Sequence, residues 1–148
     1  MKIDKMFNGL KRIANGDYVL EGDLISEETI EIDLDDRFVV KGRIKSKQSI
    51  IIRCGIEAGC GIEAGCGIEA GCGIEAGEGI ETGWGIKAGE GIKAGVFISV
   101  KKRIFAGISI YRTSKDCDKT IRCTELRDGE VCYGELILTG SEGKTDED

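Results

Sequence analysis

Histidine and proline are absent from this 148-residue chain, and aromatic residues make up only 5% of it. Without histidine, Ser-His-Asp and Cys-His nucleophile systems cannot be assembled. No enzyme activity, no cofactor and no metal site are therefore expected. The scarcity of aromatics leaves Ile, Val, Leu, Ala and Cys to fill a core. No run of 18 apolar residues occurs, so a membrane-spanning helix and a membrane partner are not expected. The first residues, MKIDKMFNGLKRIANG, mix charge among their apolar positions and lack the apolar centre of a secretory signal; a cytoplasmic location is expected. Cys54, Cys60, Cys66, Cys72, Cys117, Cys123 and Cys132 are odd in number. In that location they are expected as reduced thiols acting as small apolar residues. A net charge of −6 argues against direct binding to nucleic acid.

Glycine is abundant, at 23 residues. Without proline and a three-residue period this does not signal collagen. It punctuates a six-residue period instead: residues 55–96 read GIEAGC GIEAGC GIEAGC GIEAGE GIETGW GIKAGE GIKAGV. The phase extends further, through Ile32, Phe38, Ile44 and Ile50 upstream and Ile98, Ile104 and Ile110 downstream. Six is a poor multiple of the helical 3.6, and glycine at two positions of each six would cost a helix about 1 kcal/mol per site. Six is even, so a strand keeps every Ile on one face. The same parity collects Ala58, Ala64, Ala70 and Ala76, and also the four repeat cysteines. The opposite parity carries glutamate. Units this short must stack to close a core.

The repeat Ile62-Glu63-Ala64-Gly65-Cys66-Gly67 resembles the hexapeptide of left-handed parallel β-helices, and the resemblance covers roughly residues 20–112. It implies three hexapeptides per triangular coil. The acyltransferases and carbonic anhydrases of that family depend on histidine, so neither activity transfers. The GIEAG/GIKAG wording is also similar to small uncharacterised proteins of Gram-positive bacteria and their phages. Glu78, Trp84 and Glu90 stand where Cys stands earlier, and a buried unpaired glutamate is costly. These positions therefore fit a corner, or a flatter coil of twelve residues with two faces.

The fold class expected is all-β, a single-stranded parallel β-solenoid over residues 17–113, with left-handed winding implied by the resemblance. Ile3, Met6, Phe7, Leu10 and Ile13 fall at helical spacing and predict a capping helix over residues 1–16. Arg127-Asp128-Gly129 between two apolar-rich runs predicts a β-hairpin over 114–140. The acidic residues 141–148 are expected to be disordered.

Charge is patterned along the chain. Glu57, Glu63, Glu69, Glu75 and Glu81 are followed by Lys87 and Lys93. An 18-residue coil would set Glu69 against Lys87 and Glu75 against Lys93, and would stack Cys54 on Cys72. Residues 17–36 hold nine acids and no base, whereas Arg37, Lys41, Arg43, Lys45, Lys47 and Arg53 follow with no acid among them. Adjacent coils of opposite charge attract one another, or else make a bipolar docking surface. The function expected is a non-enzymatic protein-binding or scaffold module. Its partner-binding residues are the five ladder glutamates with Asp33, Asp35 and Asp36. Its partners are another protein and copies of itself, as a dimer or trimer. The alternative is a phage or mobile-element inhibitor that blocks a host nucleic-acid enzyme through its acidic surface.

Overall fold

A computed structural model describes residues 1–108 and 118–139. The lead-in and first coil contain β1 (Lys2–Ile3), β2 (Leu10–Arg12), β3 (Tyr18–Leu20), β4 (Leu24–Ser26) and β5 (Ile30–Ile32). The regular coils contain β6 (Phe38–Val40), β7 (Ile44–Ser46), β8 (Ile50–Ile52), β9 (Ile56–Ala58) and β10 (Ile62–Ala64). They continue through β11 (Ile68–Ala70), β12 (Ile74–Ala76), β13 (Gly79–Thr82), β14 (Ile86–Ala88) and β15 (Ile92–Ala94). The final elements are β16 (Phe97–Ala106), β17 (Thr120–Cys123), β18 (Glu125–Tyr133) and β19 (Glu135–Leu138).

The strands stack as a parallel β-solenoid of about six turns. One face runs β4, β7, β10, β13, the first half of β16, and β18. A second runs β1, β5, β8, β11, β14, the second half of β16, and β18. The third runs β2, β3, β6, β9, β12, β15, β17 and β19. Ile62 pairs with Ile44 below and Ile80 above. The coil is thus 18 residues with three faces, and the two-faced coil of twelve is excluded.

The three-residue strand explains the repeat. Its first and third residues point inward and its middle residue points out, as the alternating burial of β9 to β15 records. From Ile44 to Ile104 every Ile of the phase is at most 2% exposed, and the Ala of β9 to β12, β14 and β15 is buried in the same core. Each buried Ile contributes about 2–3 kcal/mol. Two inward polar residues are satisfied by backbone: Ser46 Oγ donates to Glu28 O at 2.7 Å and Thr82 Oγ1 to Trp84 O at 3.3 Å.

The six-residue phase breaks first near the N-terminal end. Phe38 pairs with Tyr18, Ile44 with Leu24 and Ile50 with Ile30, an offset of twenty. Two extra residues therefore lie between Ile30 and Phe38. Ile30, rather than Ile32, holds the column, and Ile32 pairs with Ile52 in the place that alanine takes above. Downstream, Ile110 and Cys117 lie outside the described residues, and the place above Ile92 is filled by Ile121.

Both ends differ from expectation. Residues 1–12 form no helix: β1 pairs in parallel with β5 and β2 pairs antiparallel with β3. Strand pairing satisfies the open edge of the first coil, which a helix would leave unbonded. Gly9 (φ 89°) and Gly16 (φ 98°) form the connecting turns. The segment still covers the first coil, since Ile3 is buried and Phe7 and Leu10 pack on the core, but Met6 is 89% exposed. The expected C-terminal hairpin is also absent. β18 passes through Arg127-Asp128-Gly129 and pairs in parallel with β16, while β17 pairs with β15 and β19 with β17. Gly129, at φ 125°, lies where the β16–β18 register shifts between Ser99 and Arg103. The Asp-Gly signal therefore marks a solenoid corner. The tail expected at 141–148 lies outside the described residues. No helix among the described residues is long and apolar enough to cross a membrane.

Candidate functional site

Three corner columns separate the faces, each joined by backbone hydrogen bonds between coils. One contains Gly42, Cys60, Glu78 and Val96, and a second contains Gln48, Cys66, Trp84 and Lys102. The third contains Cys54, Cys72, Glu90 and Gly107. The repeat cysteines are thus half-buried corner residues, not core filling. Cys54 and Cys72 do share one column. Cys54 Sγ donates to Leu34 O at 3.2 Å. Burial, and then the neighbouring Cys72, hold its pKa above the ordinary thiol value. The fully buried Cys123 is raised by the same burial.

The five ladder glutamates do not form one stripe. Glu57 and Glu75 lie on the third face beneath Lys93, and Arg37 pairs with Glu57. Glu63 and Glu81 lie on the first face above Lys45, whose Nζ is 3.7 Å from Glu63. Glu69 lies on the second face between Ile51 and Lys87. The anticipated Glu69–Lys87 and Glu75–Lys93 registers are both present.

Asp33, Asp35 and Asp36 sit in the stretch between Ile30 and Phe38 that is longer by two residues, and each has a cationic partner. Arg53 donates to Asp33 at 2.7 Å, Lys5 lies 3.2 Å from Asp35 and Arg12 donates to Asp36 at 2.5 Å. The Arg53 hydrogen bond lowers the Asp33 pKa. Hydrogen bonds from Tyr18, at 2.9 Å, and from Lys5 lower that of Asp35. Burial and the Asp35 bond raise that of Tyr18. The acidic and basic sequence blocks meet in the same way: Asp23 with Arg43, Glu27 with Lys47 and Asp33 with Arg53. Such exposed pairs are screened by solvent and contribute little each.

The least compensated feature is elsewhere. Trp84, 62% exposed, projects from the corner between the first and second faces. The outward column of the second face brings Ile51, Glu69, Lys87 and Phe105 beside it. Lys102 stands one coil above Trp84, with Arg103 next in the chain. Together these residues line a groove of about 600 Å³. Arg103 reaches Glu130 only at 4.0 Å, and Lys102 has no ion pair among the described residues. Sequence reading singled out Trp84 as a departure from the repeat, and Lys101, Lys102 and Arg103 are consecutive in the chain. It could not join them, because their proximity depends on the 18-residue coil.

Comparison with family models, curated proteins and solved structures finds no match.

Proposed function

We propose that this protein is a non-enzymatic protein-binding module, a rigid β-solenoid whose Trp84 corner receives an acidic, partly apolar segment of another protein. The observation behind this reading is the exposed indole set among Ile51, Phe105 and three cations, Lys87, Lys102 and Arg103, against the one carboxylate of Glu69. The same repeat position accepts Cys or Glu elsewhere, so folding does not demand tryptophan there. Tryptophan and arginine dominate the binding energy of protein interfaces, and the cations select an acidic partner. In this reading the ladder glutamates, with Asp33, Asp35 and Asp36, set orientation and encounter rate rather than the main affinity. The winding is proposed as left-handed, as the hexapeptide resemblance implies; an experimental map tracing a right-handed coil would overturn it.

The test is a photo-crosslinker at Lys87, beside Trp84, used in cells to identify the partner. Binding of that partner to Trp84→Ala and Lys102→Glu is then measured by calorimetry. Trp84→Ala is expected to weaken binding about 30-fold, or about 2 kcal/mol. Affinities within about twofold of the unsubstituted chain would reject the groove.

A second reading is inhibition of a host nucleic-acid enzyme through an acidic surface. It draws on Glu78 and Glu81, which have no ion pair among the described residues and line one groove with Glu63. Here Glu78→Lys/Glu81→Lys, rather than Trp84→Ala, would abolish binding. Insensitivity of binding to salt would refute this reading.

A further inference from the structure

The N-terminal lead-in pairs with two of the three strands of the first coil and leaves the third bare. β1 lies beneath β5 and β2 beneath β3, whereas β4 pairs only with β7 above it. Alternate residues of a parallel strand bond to opposite neighbours. Leu24 N donates to Arg43 O at 2.9 Å and Ser26 O accepts from Lys47 N at 3.1 Å, so these two residues turn their backbone groups toward β7. The N–H and C=O of Ile25 therefore face the open side. Asp23 O and Glu27 N face it too: the groups that correspond to them one coil above, Arg43 O and Lys47 N, are the ones that reach down to β4. Such a row of donors and acceptors is a template for one more strand.

The side chains along this edge are acidic. Glu21, Asp23, Glu27 and Glu28 are all exposed. Asp23 and Glu27 each meet one cation from the coil above, Arg43 at 3.5 Å and Lys47 at 3.0 Å. Glu21 and Glu28 have no ion pair among the described residues. The cations of the lead-in belong to the other two faces. Lys2 lies beneath Glu31, Lys11 and Arg12 beneath Val19 and Tyr18, and Lys5 pairs with Asp35. The Met1 ammonium is held by Thr29 O at 2.8 Å, past the end of β4.

β4 already shows what chemistry it accepts. Its upper side carries Arg43-Ile44-Lys45-Ser46-Lys47, which sets Arg43 against Asp23, Lys45 over Ile25 and Lys47 against Glu27. We propose that the lower edge of β4 takes a second strand of the same kind in parallel, an extended basic segment of another protein. An apolar first residue and a small third residue of that strand fall beneath Leu24 and Ser26. Its middle residue lays an aliphatic stem against Ile25, which is 52% exposed. Cations before and after them meet Asp23 with Glu21, and Glu27 with Glu28. Main-chain hydrogen bonds supply the affinity, and the acids select the sequence.

A second copy of the chain is a poor occupant. Pairing β4 with β4 sets these acids against one another, and the matching basic strand of a second copy is its β7, already bonded on both sides. The edge is also separate from the Trp84 groove, which is lined by cations and takes the opposite charge. Each surface therefore stands or falls without the other.

The probe is the peptide Gly-Arg-Ile-Lys-Ser-Lys-Gln, the order of residues 42–48, blocked at both ends. It is titrated to about 1 mM into the isotope-labelled full chain and followed by nuclear magnetic resonance. A segment this short is expected to bind with a Kd of about 0.1 mM. The amides of Ile25 and Glu27 should shift and exchange about 10-fold more slowly at the end of the titration, while that of Leu24, already bonded to Arg43 O, changes little. Binding should weaken as salt rises from about 50 to about 500 mM. Ile25→Pro removes a donor on the open side only, where an edge strand tolerates proline; Glu21→Lys/Glu28→Lys reverses the uncompensated acids. Each should weaken the peptide about 10-fold or more, whereas Trp84→Ala leaves its affinity unchanged. Circular dichroism checks that each variant folds, and the charge variant decides alone where Ile25→Pro does not. Four results would overturn the proposal: no shift at about 1 mM, equal binding of a peptide whose cations are replaced by glutamate, shifts confined to β18 and β19, or affinity unmoved by the folded variants. Slow exchange at Ile25 that grows with chain concentration in the absence of peptide would also overturn it, by assigning the edge to a second copy.

Discussion

Gly59 and Gly61 flank Cys60 at one corner, and exchanging each for alanine should give opposite outcomes. A methyl on Gly59 would lie 3.1 Å from the carbonyl carbon of Lys41 in the coil below and closer still to its oxygen. A methyl on Gly61 would meet only Gly79 O, at 3.3 Å. Neither glycine has a positive φ, so the requirement at Gly59 is close approach of backbones. The strand cannot retreat freely, because Gly59 N donates to Val40 O at 2.9 Å and Cys60 N to Gly42 O at 3.0 Å. Separating the coils strains both bonds, at about 1 kcal/mol each, and adds overpacking strain of about 1–3 kcal/mol. Gly59→Ala should therefore destabilise by about 3 kcal/mol. At about 2–4 °C per kcal/mol for a chain near this size, Tm falls by about 6–12 °C. Gly61→Ala loses unfolded-state entropy, worth about 0.4–1 kcal/mol in its favour, which offsets its tight contact. Thermal melts followed by circular dichroism compare the two. If both variants melt within about 2 °C of each other, coil stacking does not explain the glycine after each alanine.

Acid should loosen the first coil. Asp33 and Asp35 have folded-state pKa values below the ordinary carboxylate value of about 3.9. Their contribution to stability is therefore complete above that value and is lost as pH falls through the folded-state values. Tm should be flat from about pH 7 to about pH 5 and fall below about pH 4, and Asp35→Asn should reduce the acid loss. A Tm unchanged down to about pH 2 would contradict these pairings. Thiol reactivity should follow burial. Iodoacetamide at about pH 7.5 should label exposed Cys132 before Cys54, whose pKa is raised by burial and Cys72, and buried Cys123 last. Peptide mass spectrometry that finds Cys123 labelled as fast as Cys132 in the folded chain would refute the burial order.

The regular coils were legible because six is even and three sixes close a coil. Parity placed the Ile column, and the coil length placed Glu69 beside Lys87 and Glu75 beside Lys93. The same parity concealed the first irregularity. An insertion of two residues before Phe38 leaves inward and outward positions unchanged, so Ile32 remained in phase by arithmetic while Ile30 took its place in space. At the N-terminus, Ile3, Met6, Phe7, Leu10 and Ile13 satisfy a helical stripe, yet a free sheet edge offers backbone hydrogen bonds that a helix of this length cannot outweigh. At the C-terminus, Asp128-Gly129 marks a sharp bend. A hairpin and a solenoid corner need the same chemistry, and only the parallel register of β18 on β16 distinguishes them.

The same geometry shows where such a chain is free to vary. The inner strand positions are held by core packing, and the glycine after each alanine by the carbonyl of the coil beneath. What remains is the middle of each strand and the central residue of each corner. Mid-strand positions stack directly on one another, so neighbouring charges constrain them, as Glu57 and Glu75 between Arg37 and Lys93 illustrate. Corner centres point away from the sheets and carry the least constraint, and there the repeat changes most: Cys60 to Glu78 to Val96, and Cys66 to Trp84 to Lys102. An indole at such a position gains little for the fold, since most of its surface remains in water. Nothing in the fold explains the substitution, and the proposed partner would meet the cations and apolar side chains that the winding brings around Trp84.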